Sequence, residues 1–244
     1  MIPASKAGLV ATLQADLLRL QGFKNFNNPA LDTALGPIRE AFPNGSFPLA
    51  AIHEFISNSA ESSVATSGFV ASVLSPLMGS SGTVIWIGTA RTIFPPALKG
   101  FGLQPHQFIF IDLKNERDVV WAMNEALKCD SLAAVVGEIR DLTFTASRRL
   151  QLTVEESKVT GFVLRNNCRV LNTTACVSRW SIASLPSLSI DDMPGIGYPK
   201  WRVELNRVRN GRPDAWDIQC INGKLIPVYE MRSEQIHLKS AVAR

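Results

Sequence analysis

Five short apolar runs recur along the middle of the chain, separated by stretches with helical patterning. This alternation limits the possible folds more than any other feature. The runs are 51–56, 83–88, 108–112, 133–137 and 160–164, five or six residues each. They are too short for buried helices and apolar on both faces, which predicts strands covered on both sides. Residues 65–78, 95–101, 116–128 and 145–157 carry the helical patterns between them. Strand, helix, strand in repeated order predicts an α/β fold with a mainly parallel twisted sheet flanked by helices. The last third changes character. Residues 174–182, 201–209 and 216–220 read as successive strands, and Asn222-Gly223 predicts a tight hairpin turn into 225–229. An antiparallel C-terminal extension of the sheet is therefore expected. Residues 184–199, with Pro186, Pro194 and Pro199, read as a loop.

Ahead of this block, residues 8–20 place Leu9, Leu13, Leu17 and Leu20 at helical spacing, and 22–28 is a linker rich in Asn and Gly. Residues 31–41 read as a second short helix. The expected organisation is an N-terminal helical segment and linker (1–46), a core domain (47–229) and a C-terminal tail (230–244). With 244 residues, 46% of them hydrophobic and 19% charged, the chain can bury a substantial core. Four scattered cysteines and three distant histidines show no metal-ligand spacing, so neither a metal nor a redox centre is expected. A net charge of +4 is compatible with nucleic acid or an acidic partner. No secretory leader or membrane span is apparent, which leads to the expectation of a cytoplasmic protein.

The junction between the first strand and its helix is where a P-loop ATPase carries its phosphate-binding loop, G-x-x-x-x-G-K-[ST]. Here the junction reads Ser59-Ala60-Glu61-Ser62-Ser63-Val64-Ala65-Thr66. Ser59 and Val64 replace the two glycines, Ala65 replaces the lysine, and Thr66 alone remains. The loop glycines let backbone N–H groups close around phosphates, and a β-branched valine resists the positive φ this requires. Ala65 brings no charge to the β- and γ-phosphates, and Glu61 would repel them. Ser59, Ser62 and Ser63 are more simply read as caps of the following helix. No nucleotide cofactor and no catalysis are therefore expected.

The residues around this junction resemble the RecA ATPase core. Phe47-Pro48-Leu49-Ala50-Ala51-Ile52-His53-Glu54-Phe55 is similar to the strand entering the RecA P-loop, and Glu61-Ser62-Ser63 sets the register. Trp86-Ile87-Gly88-Thr89-Ala90-Arg91, Pro95 and Phe101-Gly102-Leu103 resemble the next strand and helix. In that alignment Ala90 stands at the water-orienting glutamate and Gly137 at the Walker B aspartate. Glu138 is one residue off and is expected on the opposite face of its strand. The run Leu142–Leu152, containing Thr145-Ala146-Ser147-Arg148-Arg149-Leu150-Gln151-Leu152, resembles the ImuA family, as does Pro199–Leu205 with Arg207, Gly211-Arg212-Pro213 and Trp216. The resemblance extends over roughly residues 47–219.

The ImuA resemblance implies a non-catalytic accessory protein of SOS-induced, error-prone translesion synthesis. It implies ImuB, a Y-family polymerase homologue, as partner, an error-prone C-family DNA polymerase through the complex, and RecA as a further contact. Arg207 and Arg209 align with two RecA lysines that reach a neighbour's nucleotide, and alternate positions share a strand face. Together with Arg212, Leu13 and Leu17 they are the candidate partner-interface residues. Arg140, Arg148, Arg149, Arg165 and Arg169 supply positive charge where RecA binds DNA. The stretches 139–143 and 166–172 are short, so only weak, salt-sensitive nucleic-acid contact is expected. Two alternatives compete: a SulA-like division inhibitor that binds FtsZ, a family of shorter chains, and an ATPase with an unorthodox site.

Overall fold

The computed structural model describes residues 28–90, 92–168, 170–187 and 197–228. The expected N-terminal helix with Leu13 and Leu17, Arg169 and the tail 230–244 lie outside them. Four α-helices are described: α1 (Pro29–Leu35), α2 (Ala60–Met78), α3 (Glu116–Ala126) and α4 (Phe144–Ser157). Nine strands follow in chain order: β1 (Ile52–Ser57), β2 (Val84–Gly88), β3 (Phe108–Asp112), β4 (Ala134–Glu138), β5 (Thr160–Asn166), β6 (Ser178–Leu185), β7 (Lys200–Val208), β8 (Asp214–Ile221) and β9 (Lys224–Pro227). They form one sheet in the order β3-β2-β4-β5-β1-β6-β7-β8-β9.

Strands β1 to β5 pair parallel, as the alternation requires. The parallel part runs one strand further than expected, because β6 also lies parallel to β1. The antiparallel extension begins at β7 and continues through β8 and β9. β8 and β9 meet at the two-residue Asn222-Gly223 turn, both residues at positive φ (50° and 79°). That is the backbone twist which matches paired strands.

Two apolar cores cover the two faces. One holds Phe55, Phe69, Phe162, Trp180 and Trp201 beneath α2; the other holds Ile52, Met123, Leu150, Val154 and Val163 beneath α3 and α4. A Cβ at Gly137 would meet Met123 Sδ at 2.6 Å, so the bare backbone there lets α3 sit close.

The packed body starts upstream of Phe47, which corrects the expected boundary. Leu31, Leu35, Ile38, Ala41 and Phe42 are buried in the same core as Phe55 and Trp180. Asn28 caps α1 by accepting from Leu31 N at 3.1 Å. The Asp32 carboxylate accepts from Ser46 Oγ at 2.8 Å and Phe47 N at 3.0 Å, tying the segment to the entrance of β1. Apolar area held on one face of a short helix outweighs the Pro-Asn-Gly punctuation at 43–45.

Candidate functional site: a closed phosphate loop and a buried arginine cluster

Strand β1 ends at Ser57 and α2 begins at Ala60, so two residues separate them. The helix starts five residues before the expected Ala65, because Ser59 and Ser62 form a capping box. Ser59 Oγ accepts from Ser62 N at 3.1 Å, and Ser62 Oγ accepts from Ser59 N at 3.0 Å. Glu61, Ser62, Ser63, Val64, Ala65 and Thr66 therefore lie in the first two turns of a helix, and none of them has positive φ. Val64 projects into solvent at 72% exposure, while Ala65 packs into the core. Thr66 Oγ1 is buried and shares a 2.9 Å hydrogen bond with Ser57 Oγ, which also donates to Ser62 O at 3.4 Å. The hydroxyl that would approach a metal ion in a P-loop is thus engaged within the protein.

Glu138 does lie opposite Gly137 on β4, and its face is that of α2. Its Oε1 accepts from Trp86 Nε1 at 2.8 Å and from Thr92 Oγ1 at 2.6 Å. Burial pushes its carboxyl above the usual carboxylate range, against the two hydrogen bonds, and Asp112 nearby pushes the same way. A carboxyl group thus ends β4 on the α2 side, displaced by one residue from the aligned position. Ala90 leaves the water-orienting position without an acid.

Beside α2 lies a hollow of about 620 Å³, walled by Gly68, Ala71, Phe94, Phe101 and Trp201. Lys200 is the single charged side chain among its described lining residues. An apolar wall with one ammonium cannot neutralise a triphosphate.

The second polar centre sits on the other face of the sheet, where the middle of β1 (Glu54) meets the carboxyl end of β5 (Arg165) and the start of β6 (Arg179). Glu54 is fully buried in β1. Its Oε2 accepts from Arg165 Nη1 at 3.3 Å, and its Oε1 from Arg179 Nε at 2.8 Å, from Arg207 Nη2 at 3.5 Å and from Thr174 Oγ1. The guanidiniums also donate to carbonyls: Arg165 to Arg140 O (3.1 Å) and Val170 O (3.2 Å), Arg179 to Asn172 O (2.7 Å), Arg207 to Thr174 O and Cys176 O (3.1 Å each). Arg209 Nη2 reaches Ala175 O at 3.2 Å. Arg207 and Arg209 therefore do project together, onto their own chain's 174–176 segment. Arg212 is exposed, with its backbone N–H on Ala41 O at 2.8 Å.

Arg165 cannot contribute to a DNA-facing surface, contrary to the sequence expectation, because its side chain is buried against Glu54. The cluster had a signal in the sequence. Glu54 is a lone carboxylate inside a strand apolar on both faces, and such a charge requires buried cationic partners.

The comparisons with known proteins agree with this architecture. The crystal structure of the RadB recombinase superposes with a TM-score of 0.53 at 14% identity, covering 84% of this chain and 99% of that one. The likeness shows a RecA-like fold. No protein-family model matches. Protein ImuA of Caulobacter vibrioides, from each of two strains, is 32% identical over 208 residues, covering 80% of this chain and 82% of the relative. This chain belongs to the ImuA family. The match extends the resemblance read from 142–152 and 199–216 to most of the chain.

Proposed function

We propose that this member of the ImuA family is a non-catalytic accessory protein of SOS-induced, error-prone translesion synthesis. In this reading it is a cytoplasmic scaffold that binds an ImuB-like Y-family polymerase homologue and RecA. The error-prone C-family polymerase is reached through that complex. The observation that carries the proposal is the conversion of the phosphate loop into two turns of capped helix. Each contact a working site needs is missing: Val64 and Ala65 replace the glycine and lysine, and Thr66 is bonded to Ser57. Losing one preorganised charge-stabilising contact costs about 3–4 kcal/mol in the transition state, and several are gone together. This reading assigns the partly exposed Arg207 and Arg209, with the exposed Arg212, to the contact with RecA.

The test is done with purified protein. ATP and magnesium should give no turnover above background, and the protein should co-elute with its ImuB-like homologue and with RecA. Turnover abolished by Thr66→Ala would overturn the non-catalytic reading. Failure to bind either protein would overturn the scaffold.

A further inference from the structure

Three large apolar side chains on neighbouring stretches of chain face solvent: Phe144 (54% exposed), Val170 (68%) and Leu171 (58%). They lie on two different segments, the first turn of α4 and the loop that leaves β5. These segments are bolted together from within. Asn172 Nδ2 donates to Leu142 O at 2.8 Å, and the buried Arg165 donates to Arg140 O on one segment and Val170 O on the other. The charge of Arg165 is in turn held by the buried Glu54 at 3.3 Å. Burying an ion pair is costly, and a loop that had only to close could carry polar residues at its tip. Here a buried ion pair fixes a loop that holds apolar side chains out in water.

The patch continues along α4. Phe144, Arg148 and Leu152 are spaced four residues apart and all exposed, so they form one stripe. Among the described residues no carboxylate pairs with Arg148. Apolar anchors with an unpaired arginine are the composition of a protein contact.

We propose that Phe144, Arg148, Leu152, Val170 and Leu171 form a docking surface for an acidic amphipathic segment of a partner protein; this rests on the scaffold reading above. Carboxylates on that segment would meet Arg148, and its apolar face would cover the aliphatic tips. Single-stranded nucleic acid fits less well, because Phe144 is the one ring and Arg148 the one cation among these five residues, whereas a strand is held by several of each. A second copy of the chain fits less well too: a two-fold contact would set this patch against itself, and none of its five residues is a carboxylate to meet Arg148.

The test measures binding of the purified ImuB-like homologue to wild type, Phe144→Ser/Leu171→Asp, Arg148→Glu and the control Ile109→Ser, an exposed apolar residue on the edge strand β3. Circular dichroism and thermal melts should match for all four. Affinity should fall roughly tenfold or more for the double variant and for Arg148→Glu, and stay within about twofold for the control. Wild-type affinity in the double variant would overturn the surface and leave the scaffold reading standing. No binding by wild type would remove both. A wild-type dimer that the double variant splits would reassign the face to self-association. Tight oligo-dT binding lost with Phe144 would reassign it to nucleic acid.

Discussion

His53 stays neutral in the core because burial disfavours the charged ring. Pro48 O can only accept, so Nε2 carries the proton and donates to it at 2.8 Å. Nδ1 then accepts from Ser178 Oγ at 2.6 Å, and Ser178 Oγ accepts from Trp180 Nε1 at 2.7 Å. Burial pushes the imidazole down from 6.5 to about 4, against the raising effect of the Pro48 hydrogen bond. The unfolded chain takes up a proton near 6.5 and the native state does so only near 4. Between those values the unfolded state binds more protons, so stability falls as pH falls. Urea unfolding should show a loss of about 2 kcal/mol from this residue between pH 7 and pH 5. In His53→Gln that part of the pH dependence should vanish, whatever the substitution costs at pH 7. An unchanged slope would mean that the imidazole is solvated.

At the scale of the element, α2 decides what can be restored by mutation. Replacing Val64 with Gly and Ala65 with Lys recreates two of the missing loop residues in sequence. In the structure both sit inside a capped helix, and Ala65 faces the core. The double variant Val64→Gly/Ala65→Lys should therefore show neither turnover nor tight binding of a fluorescent ATP analogue. It should also melt lower than wild type, because glycine weakens a helix by about 1 kcal/mol and a buried ammonium costs several more. Recovered hydrolysis would show that the capped helix opens readily into a loop. The missing chemistry at this junction was legible from residue types alone. The serine caps were legible too, but the start of the helix at Ala60 was not, since residues 60–64 carry no apolar helical period. Glu138 shows the same limit: strand alternation places it opposite Gly137, but only the packing of α2 says which face that is.

For the whole molecule, the packing of α1 into the core makes the boundary at 47 testable. A chain beginning at Phe47 loses Leu31, Leu35, Ile38, Ala41 and Phe42 from the core. At about 1.5–3 kcal/mol for each of the larger side chains, that loss rivals the entire stability of an ordinary domain. The full chain should give a cooperative melt, and one beginning at Phe47 should aggregate or melt far lower; equal melts would restore the boundary at 47. The order of strands and helices, the hairpin at Asn222-Gly223 and the absence of phosphate-binding residues followed from the sequence, because periodicity, turn chemistry and side-chain charge are local properties. The attachment of α1 to the core, the parallel pairing of β6, the Glu54–Arg165 bolt and the exposed patch at Phe144 and Leu171 were decided by tertiary structure. Each joins residues far apart in the chain, and local pattern carries no information about which distant partners share a face.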